Sequence, residues 1–478
     1  MIAIRSRLLL VSLLLAASLP AADRERPNII LILADDLGYG DVGFQGSTQI
    51  PTPHLDRLAA SGIVCAQGYV SAPVCSPSRA GLLTGRNQVE FGYDNNLAET
   101  QPGFDPDFGG LPVAEKTIAD RLRSAGYVTG LIGKWHLGDR PQFHPLRRGF
   151  DEFWGFLGGG HRYFATVPAG QAEPAIESNV GPAGAITYLT DDITTQSIAF
   201  LRRHRDRPFF LYAAYNAPHA PMDARPEDLA RFAFIKDQKR RTYCAMVARL
   251  DDQVGRLLDE VRELGLEKNT LIVFLSDNGG PVDQNGSLNA PLNGQKGILL
   301  EGGVRVPFVA SWPGRLPAGR VHQPPVSALD LVPTFLRLAG APADQFKGLS
   351  GVDLWPRWTG VEESAPDRDL LWRFTVSAAI RDGDWKLVRL PDRLPMLFNL
   401  REDLAEQHDV ALQNLDRTKA MLARLGDWDV RLPHPVTLEG AVWKRRQLNL
   451  YDAKYPLVQP VGGEAPRLIS AKETDGAH

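Results

Sequence analysis

Apolar residues fall along this chain in two patterns. Unbroken runs of strand length occur at 28–34 (NIILILA), 127–133 (YVTGLIG), 208–215 (PFFLYAAY), 270–276 (TLIVFLS) and 306–312 (VPFVASW). Continuous rather than alternating hydrophobicity predicts strands buried on both faces, as in a parallel sheet covered by helices. Between the runs, apolar residues recur every three or four positions, which predicts helices with one buried face. TPHLDRLAASG reads as a helix with Thr52 as its cap, Pro53 at its first position and Gly62 as its stop. KTIADRLRSAG places Ile118, Ala119, Leu122 and Ala125 on one face before Gly126. The longest pattern covers about 240–264, through Tyr243, Met246, Val247, Leu250, Val254, Leu257, Leu258, Val261 and Leu264. Strands that alternate with helices predict an α/β fold, a doubly wound, mostly parallel sheet sandwiched by helices.

Past about residue 360 the pattern changes. LLWRFTVSAAIRDGDWKLVRL and MLFNLREDLAEQHDVA read as short strands with a tight turn at Asp382 to Asp384, and a helix follows near NLDRTKAMLARLGDW. This predicts a smaller C-terminal α+β subdomain, an antiparallel sheet packed by one helix. The chain thus divides into an α/β domain over 23–360, the subdomain over 361–430 and a Pro-rich polar tail over 431–478. The tail reads as surface-wrapping or partly disordered. Residues 1–22 stand apart: Arg5 and Arg7 precede LLLVSLLLAASL, an apolar stretch short for a bilayer, and PAAD follows with small residues. They read as an export signal cut near Ala21 or Ala22, with a retained anchor as the alternative, so the expected destination is periplasmic or extracellular.

Composition then narrows the function. At 44% apolar and 23% charged residues the chain is globular. Removal of the leader takes Arg5 and Arg7 with it and moves the formal charge from −3 to −5. A mildly acidic protein has no global attraction for nucleic acid or anionic membranes, so any anion it handles needs local positive charge. Cys65, Cys75 and Cys244 are too few for a disulfide framework, and their spacing fits no zinc motif. Whether Cys65 and Cys244 pair depends on geometry.

In open α/β sheets, ligands sit beyond the carboxyl ends of the strands. The first run ends in Asp35-Asp36, the second in Lys134-Trp135-His136, the third leads into NAPHAP with His219, and the fourth ends in Asp277-Asn278. One such polar ending is an ordinary solvated loop; four together predict a site. Asp35, Asp36, Asp277 and Asn278 offer only oxygen, which suits Ca²⁺ or Mg²⁺ better than zinc or copper. Asp35-Asp36 alone would read as a turn or helix cap. Arg79, Lys134, His136, His219 and Lys296, each unremarkable alone, would together form an anion-binding cluster suited to a sulfate or phosphate ester. Cys75 opens a predicted helix with Pro77 near its first position and Gly85 near its end, where free N–H groups favour an anion or thiolate. A thiolate nucleophile beside a hard metal would be unusual, so the residues alone leave Cys75 unexplained.

CSPSRAGLLTGR (75–86) resembles the signature of the type I sulfatases, Cys-x-Pro-Ser-Arg followed by Leu-Thr-Gly-Arg. PNIILILADDLGYGDVG, GKWHLG, APHAP, SDNGG and KGILLEGGVRVPFVASWPG are similar to other motifs of that family, in its order, and AIRDGDWKLV and LFNLREDLAEQHD resemble its closing hairpins. The resemblance implies an alkaline phosphatase-like α/β fold and sulfate-ester hydrolysis. It implies that a maturation enzyme oxidises Cys75 to formylglycine, whose hydrate attacks sulfur with one hydroxyl and expels sulfate with the other. Carried over, Asp35, Asp36, Asp277 and Asn278 resemble the ligands of one Ca²⁺, with residue 75 completing the shell. Arg79 and Lys134 would hold the diol, and His136 would assist sulfate expulsion. His219 and Lys296 would bind sulfate and protonate the leaving oxygen. A serine that some relatives place near the diol has no clear counterpart.

NQVEFGYDNN and GFLGGGHRYF resemble bacterial polysaccharide sulfatases more than small-aryl enzymes. Trp154, His161, Arg162 and Tyr163 would then form a wall for a sugar ring, the alternative being that these aromatics only pack the loop. The expected substrate is a galactose- or N-acetylgalactosamine-type sulfated glycan. The competing readings are a formylglycine-dependent phosphonate or phosphodiester hydrolase and an inactive glycan-binding relative in which Cys75 stays a thiol. A two-zinc phosphatase is disfavoured because the rim offers too few ligands.

Overall fold

All five apolar runs become strands of one nine-stranded sheet in the computed structural model, which describes residues 26–97, 109–165, 175–362, 364, 368–437 and 440–456. The expected export signal at 1–22 lies outside the described residues. In chain order the sheet contains β1 (Asn28–Ala34), β2 (Ile63–Cys65), β4 (Val128–Lys134), β5 (Glu152–Phe156), β6 (Glu177–Ser178), β7 (Phe209–Ala214), β8 (Thr270–Ser276), β9 (Phe308–Ser311) and β10 (Arg320–His322). A short parallel pair, β3 (Gly68–Tyr69) and β11 (Val326–Ser327), lies beside it. Strands run in the order β10-β2-β9-β8-β1-β7-β4-β5-β6. The centre, β8-β1-β7-β4-β5, is parallel, and β9 runs antiparallel to both β8 and β2.

Every residue of β1, β4, β7 and β8 is buried, which is why their hydrophobicity is unbroken. Along β1, Ile29, Leu31 and Leu33 face one core while Ile30, Ile32 and Ala34 face the other. Helices Cys75–Thr84, Ile118–Ser124 and Leu331–Leu338 cover the first face. Helices Pro53–Ala60, Leu189–His204 and Gln238–Glu263 cover the second, so the sheet is doubly wound as the sequence predicts. Cys65 packs in the first core and Cys244 in the second, and both are free thiols.

One local reading is corrected in part. Thr52 holds the N-cap position of the first helix, its carbonyl accepting from Asp56 N–H, but its hydroxyl makes no cap bond and instead accepts from Gly43 N–H and donates to Asp56. The orphan N–H groups of His54 and Leu55 are instead taken by the Asp251 carboxylate of the long helix, at 3.1 and 2.8 Å. Helix Leu189–His204 carries no sequence signal of comparable strength, because Thr190, Thr194 and Ser197 occupy buried positions that a hydrophobic pattern would fill.

The C-terminal part is a four-stranded antiparallel sheet of β12 (Leu370–Phe374), β13 (Ser377–Asp382), β14 (Trp385–Arg389) and β15 (Met396–Asn399). Gly383 takes a positive φ in the turn between β13 and β14. One face packs on helix Leu415–Asp429 through Ile380, Leu387, Leu397, Met421 and Leu425. The other sends Ala379, Val388 and Phe398 into the first core of the main sheet. Within the segment expected as a surface tail, residues Ala441–Asp452 form a helix whose Tyr451 is fully buried in that same core.

A buried charge cluster locks the small sheet to the large one. Lys386 Nζ of β14 lies 2.9 Å from Glu301 Oε1 and 3.0 Å from Glu406 Oε1, all three without solvent exposure. Burial would raise Glu301, but Lys386, Arg305 and Arg381 hold it at about 2. Burial pushes Glu406 up to about 7 against Lys386, with Glu301 adding to the rise. Removing one member of such a cluster leaves buried charge uncompensated, so Lys386→Met should destabilise the fold by about 3–5 kcal/mol. Urea denaturation at neutral pH measures this, and a loss below about 1 kcal/mol would refute the locking role.

Candidate active site

Strand register brings the polar residues together. In the parallel pairing of β1 and β8, Ala34 lies opposite Ser276, so the next residues, Asp35 and Asp277, emerge abreast at the carboxyl rim. Lys134 is the last residue of β4, whose Gly133 lies opposite Ala214 of β7, and Ala214 lies opposite Leu33 of β1. Lys134 therefore rises at the same level two strands away, and its Nζ meets Asp35 Oδ2 at 2.5 Å. The chain turns sharply after each strand: Asp36 and His136 both adopt the left-handed region, with φ of 65° and 59°.

Cys75 is the first residue of its helix, preceded by extended Val74. All ten residues of that helix are buried, and Gly85 ends it in the left-handed conformation. One turn on, Arg79 donates from Nε and Nη2 to Asp277 Oδ2 at 3.0 and 2.8 Å and from Nη1 to the Lys134 carbonyl at 3.2 Å. Its Nη2 also lies 3.6 Å from Asp35 Oδ2. These charge-assisted bonds fix the guanidinium in place.

Cys75 Sγ sits where the groups meet, 3.4 Å from Asp35 Oδ1, 3.9 Å from Asp36 Oδ1 and 3.0 Å from Lys296 Nζ. Lys296 also donates to both oxygens of Asp36, at 2.7 and 2.9 Å. Asn278 Nδ2 donates to Asp36 Oδ1 at 2.7 Å, while Asn278 Oδ1 is buried without a hydrogen-bond partner. His219 Nδ1 donates to the Ala220 carbonyl, leaving Nε2 3.6 Å from Asp36 Oδ2. His136 is held by its backbone, with N–H to Leu157 O and its carbonyl accepting from Ser76 Oγ at 2.6 Å. Asp35, Asp36, Asp277, Asn278, Cys75, Arg79, Lys134, His136, His219 and Lys296 thus share one rim.

The electrostatics follow from burial and these neighbours. Burial would raise Asp35, but Lys134, His219, Arg79 and Lys296 hold it well below the usual carboxylate range. Burial and the neighbouring Asp35 push Asp277 up to about 7 against Arg79 and Lys134. Burial, then Asp277 and Asp35, push the Cys75 thiol well above its ordinary value. Burial, then Lys134 and Arg79, hold His136 well below its ordinary value, so its ring is neutral at neutral pH.

The aromatic wall is corrected. Trp154 is a buried β5 residue whose Nε1 donates to the Ala183 carbonyl. Tyr163 is fully buried, packed on Tyr188, and its hydroxyl donates to the carbonyls of Asn216 and His219 at 2.8 and 2.9 Å. It braces the His219 loop from behind. His161 is buried against Phe156, and Arg162 alone of the four is partly exposed. What lies over the site from this segment is glycine: a Cβ on Gly159 would meet His136 Nε2 at 2.6 Å, and one on Gly160 would lie 3.5 Å from His219. The sequence reading missed this contact, and also Asn216, whose Oδ1 is buried without a partner beside the Tyr163 hydroxyl's acceptor.

Comparison with known proteins places this geometry. The sulfatase family model matches residues 27–341, which contain the whole main sheet and every rim residue. N-acetylgalactosamine-6-sulfatase of Canis lupus familiaris is 39% identical over 378 residues, covering 74% of this chain and 70% of its own. Arylsulfatase A of Homo sapiens is 36% identical over 377 residues, covering 74% of this chain and 72% of its own. The solved structure of Ps i-CgsB in complex with k-i-k-neocarrahexaose superposes with a TM-score of 0.81 at 39% identity, covering 90% of this chain and 98% of that one. The family and these relatives make the chain a sulfuric ester hydrolase. The chain belongs to the sulfatase family, with that family's alkaline phosphatase-like fold.

The glycine contact is testable. Gly159→Val should displace the His136 ring and lower kcat on a sulfate ester roughly hundredfold, in line with the cost of an ångström-scale misplacement, while the melting temperature stays near wild type. Undiminished turnover would show that Gly159 does not limit His136.

Proposed function

We propose that this chain is an exported sulfatase that removes sulfate from a carbohydrate of the galactose or N-acetylgalactosamine type, using one Ca²⁺ and a formylglycine made from Cys75 by a maturation enzyme. The observation that carries the proposal is the placement of Cys75 Sγ at the junction of two carboxylates and the Lys296 ammonium. A buried thiol held protonated there is a poor nucleophile, whereas an aldehyde hydrate in its place would offer two hydroxyls to the same neighbours.

The residues fit a hard divalent cation. Ligand atoms of Asp35, Asp36, Cys75 and His219 lie within 4.8 Å of one another, and the unpartnered Oδ1 of Asn278 is a buried acceptor that a cation would satisfy; Asp277, whose Oδ2 is held by Arg79, would add a further carboxylate. When bound, Ca²⁺ would polarise sulfate oxygens and ease ionisation of the hydrate. Arg79, fixed by Asp277, and Lys134, fixed by Asp35, hold the nucleophilic residue in line. His136, neutral and with a buried unpartnered Nδ1, accepts the proton whose loss expels sulfate. Lys296 and His219 bind the sulfate oxygens and protonate the leaving alcohol.

The names of the relatives support a sugar substrate, one by N-acetylgalactosamine-6-sulfate and another by the hexaose it holds. Arg162, the partly exposed member of the four expected wall residues, would be the one to contact that sugar. Export is supported by Arg5, Arg7 and the apolar stretch after them, and no helix of the described residues is long and apolar enough to cross a membrane.

Mass spectrometry of the residue-75 peptide from native-host protein should show formylglycine, and a uniformly unmodified thiol would sink the mechanism. Dialysis against a calcium chelator should abolish sulfate release, with Ca²⁺ restoring it and Zn²⁺ failing to do so. Asp277→Ala should lower kcat/KM by at least about a thousandfold, since it removes both a ligand and the anchor of Arg79.

A further inference from the structure

The helix Ala441–Asp452 carries a surface that the catalytic rim does not use. Its inward face is fixed: Gln447 and Tyr451 are buried, and Tyr451 OH accepts from Leu299 N–H at 2.8 Å. Its first turn, Val442 to Arg445, stands clear of the body and is exposed to solvent. Trp443 is 42% exposed, and the Arg446 guanidinium lies 5.4 Å from its ring centroid. The indole is followed by three consecutive cations, and among the described residues Lys444 and Arg445 meet no carboxylate.

This surface is tied directly to the catalytic loop. Arg446 Nη2 donates to Asp283 Oδ2 at 2.7 Å. Asp283 and Gln295 exchange two hydrogen bonds, Asp283 N–H to Gln295 Oε1 at 3.3 Å and Gln295 Nε2 to Asp283 Oδ1 at 2.9 Å. The next residue, Lys296, touches Cys75 Sγ at 3.0 Å. The basic helix therefore stands beside the loop that meets the nucleophile, in a chain whose formal charge is −3.

Resting on the carbohydrate-sulfatase reading above, we infer that Trp443, Lys444 and Arg445 form an outer subsite for a sulfated oligosaccharide, several sugar units from the scissile ester. The indole face receives a pyranose ring, and the two cations pair with sulfate groups on neighbouring units. A local basic patch is the feature that lets a net-acidic enzyme hold a polyanionic chain, and Arg446 keeps the indole oriented by spanning it and Asp283. The occupant is an anionic glycan, whose sulfate groups complement the exposed Lys444 and Arg445.

The test uses the full chain with Trp443→Ala, Lys444→Ala and Arg445→Ala combined, assayed on sulfated neocarrahexaose and on 4-methylumbelliferyl sulfate. The ratio of kcat/KM on the hexaose to that on the aryl sulfate cancels any loss of folded protein. We expect that ratio to fall at least about tenfold, through KM, and the fall to shrink at high salt. A ratio within twofold of wild type overturns the subsite. Affinity for the same hexaose, measured in a Cys75→Ala background that cannot turn over, should fall by a similar factor; an unchanged affinity also overturns it. A wild-type chain that releases sulfate from neither ester sinks the sulfatase reading instead and leaves the affinity comparison to decide the subsite.

Discussion

The structure depends on burying three carboxylates and three cations at one end of a parallel sheet. An isolated buried ion costs several kcal/mol, and mutual attraction repays that only when geometry is tight and hydrogen bonds are complete. Here Asp277 is spanned by two nitrogens of Arg79, Asp35 is met by Lys134, and Asp36 by Lys296 and Asn278. Those partners come from strands and loops far apart in sequence, so only the strand register can assemble them. A one-residue slip between β1 and β8 would send Asp35 to the opposite face of the sheet and strand both it and Asp277. Because those hydrophobic runs are apolar on both sides, the pairing of the charges at their ends is what a slip would break.

The C-terminal sheet belongs to the same arrangement. Segment 293–301 carries Lys296 to Cys75 and Glu301 to the Lys386–Glu406 cluster. Between them Leu299 is held by Tyr451, and Asn293 donates to Tyr455 OH. A loop that must place an ammonium within hydrogen-bond range of a buried residue is thus clamped from both flanks by elements far along the chain. This explains why the small sheet sends one face into the main core: its docking sets the position of a site residue.

Much of this was legible in the sequence, for identifiable reasons. Fully buried strands announce themselves, and the residues that follow them are at the rim by topology, so Asp35, Lys134, His136, His219 and Asp277 could be placed together before any coordinates. Lys296 and Arg79 follow no strand, so charge pattern and motif resemblance, rather than topology, join them to the rim. What failed was anything decided by a distant partner. Thr52 has the composition of a cap, yet Asp251 arrives from 197 positions away to take the first N–H of the helix. Trp154 and Tyr163 have the composition of a sugar platform, but which side of a loop an aromatic ring takes depends on packing, and both turned inward. The basic helix at 441–452 was hidden by its polarity: its buried side is made by Gln447 and Tyr451, which give no hydrophobic period.

Two residues of the rim hold backbone conformations that non-glycine residues avoid. Left-handed Asp36 and His136 each carry a local cost, of order 1 kcal/mol or more, that surrounding bonds must offset. At Asp36 the amide donates to Asp277 Oδ1 and the carbonyl accepts from Asn285, so the conformation is enforced by the same acid that anchors Arg79. At His136 the amide and carbonyl are taken by Leu157 and Ser76, the residue that follows Cys75. Glycine would remove the strain in both places and would also remove the carboxylate and the imidazole. The turn that reverses the chain after each strand is therefore the same feature that aims a functional side chain back over it, and Gly159 leaves the space into which the His136 ring projects.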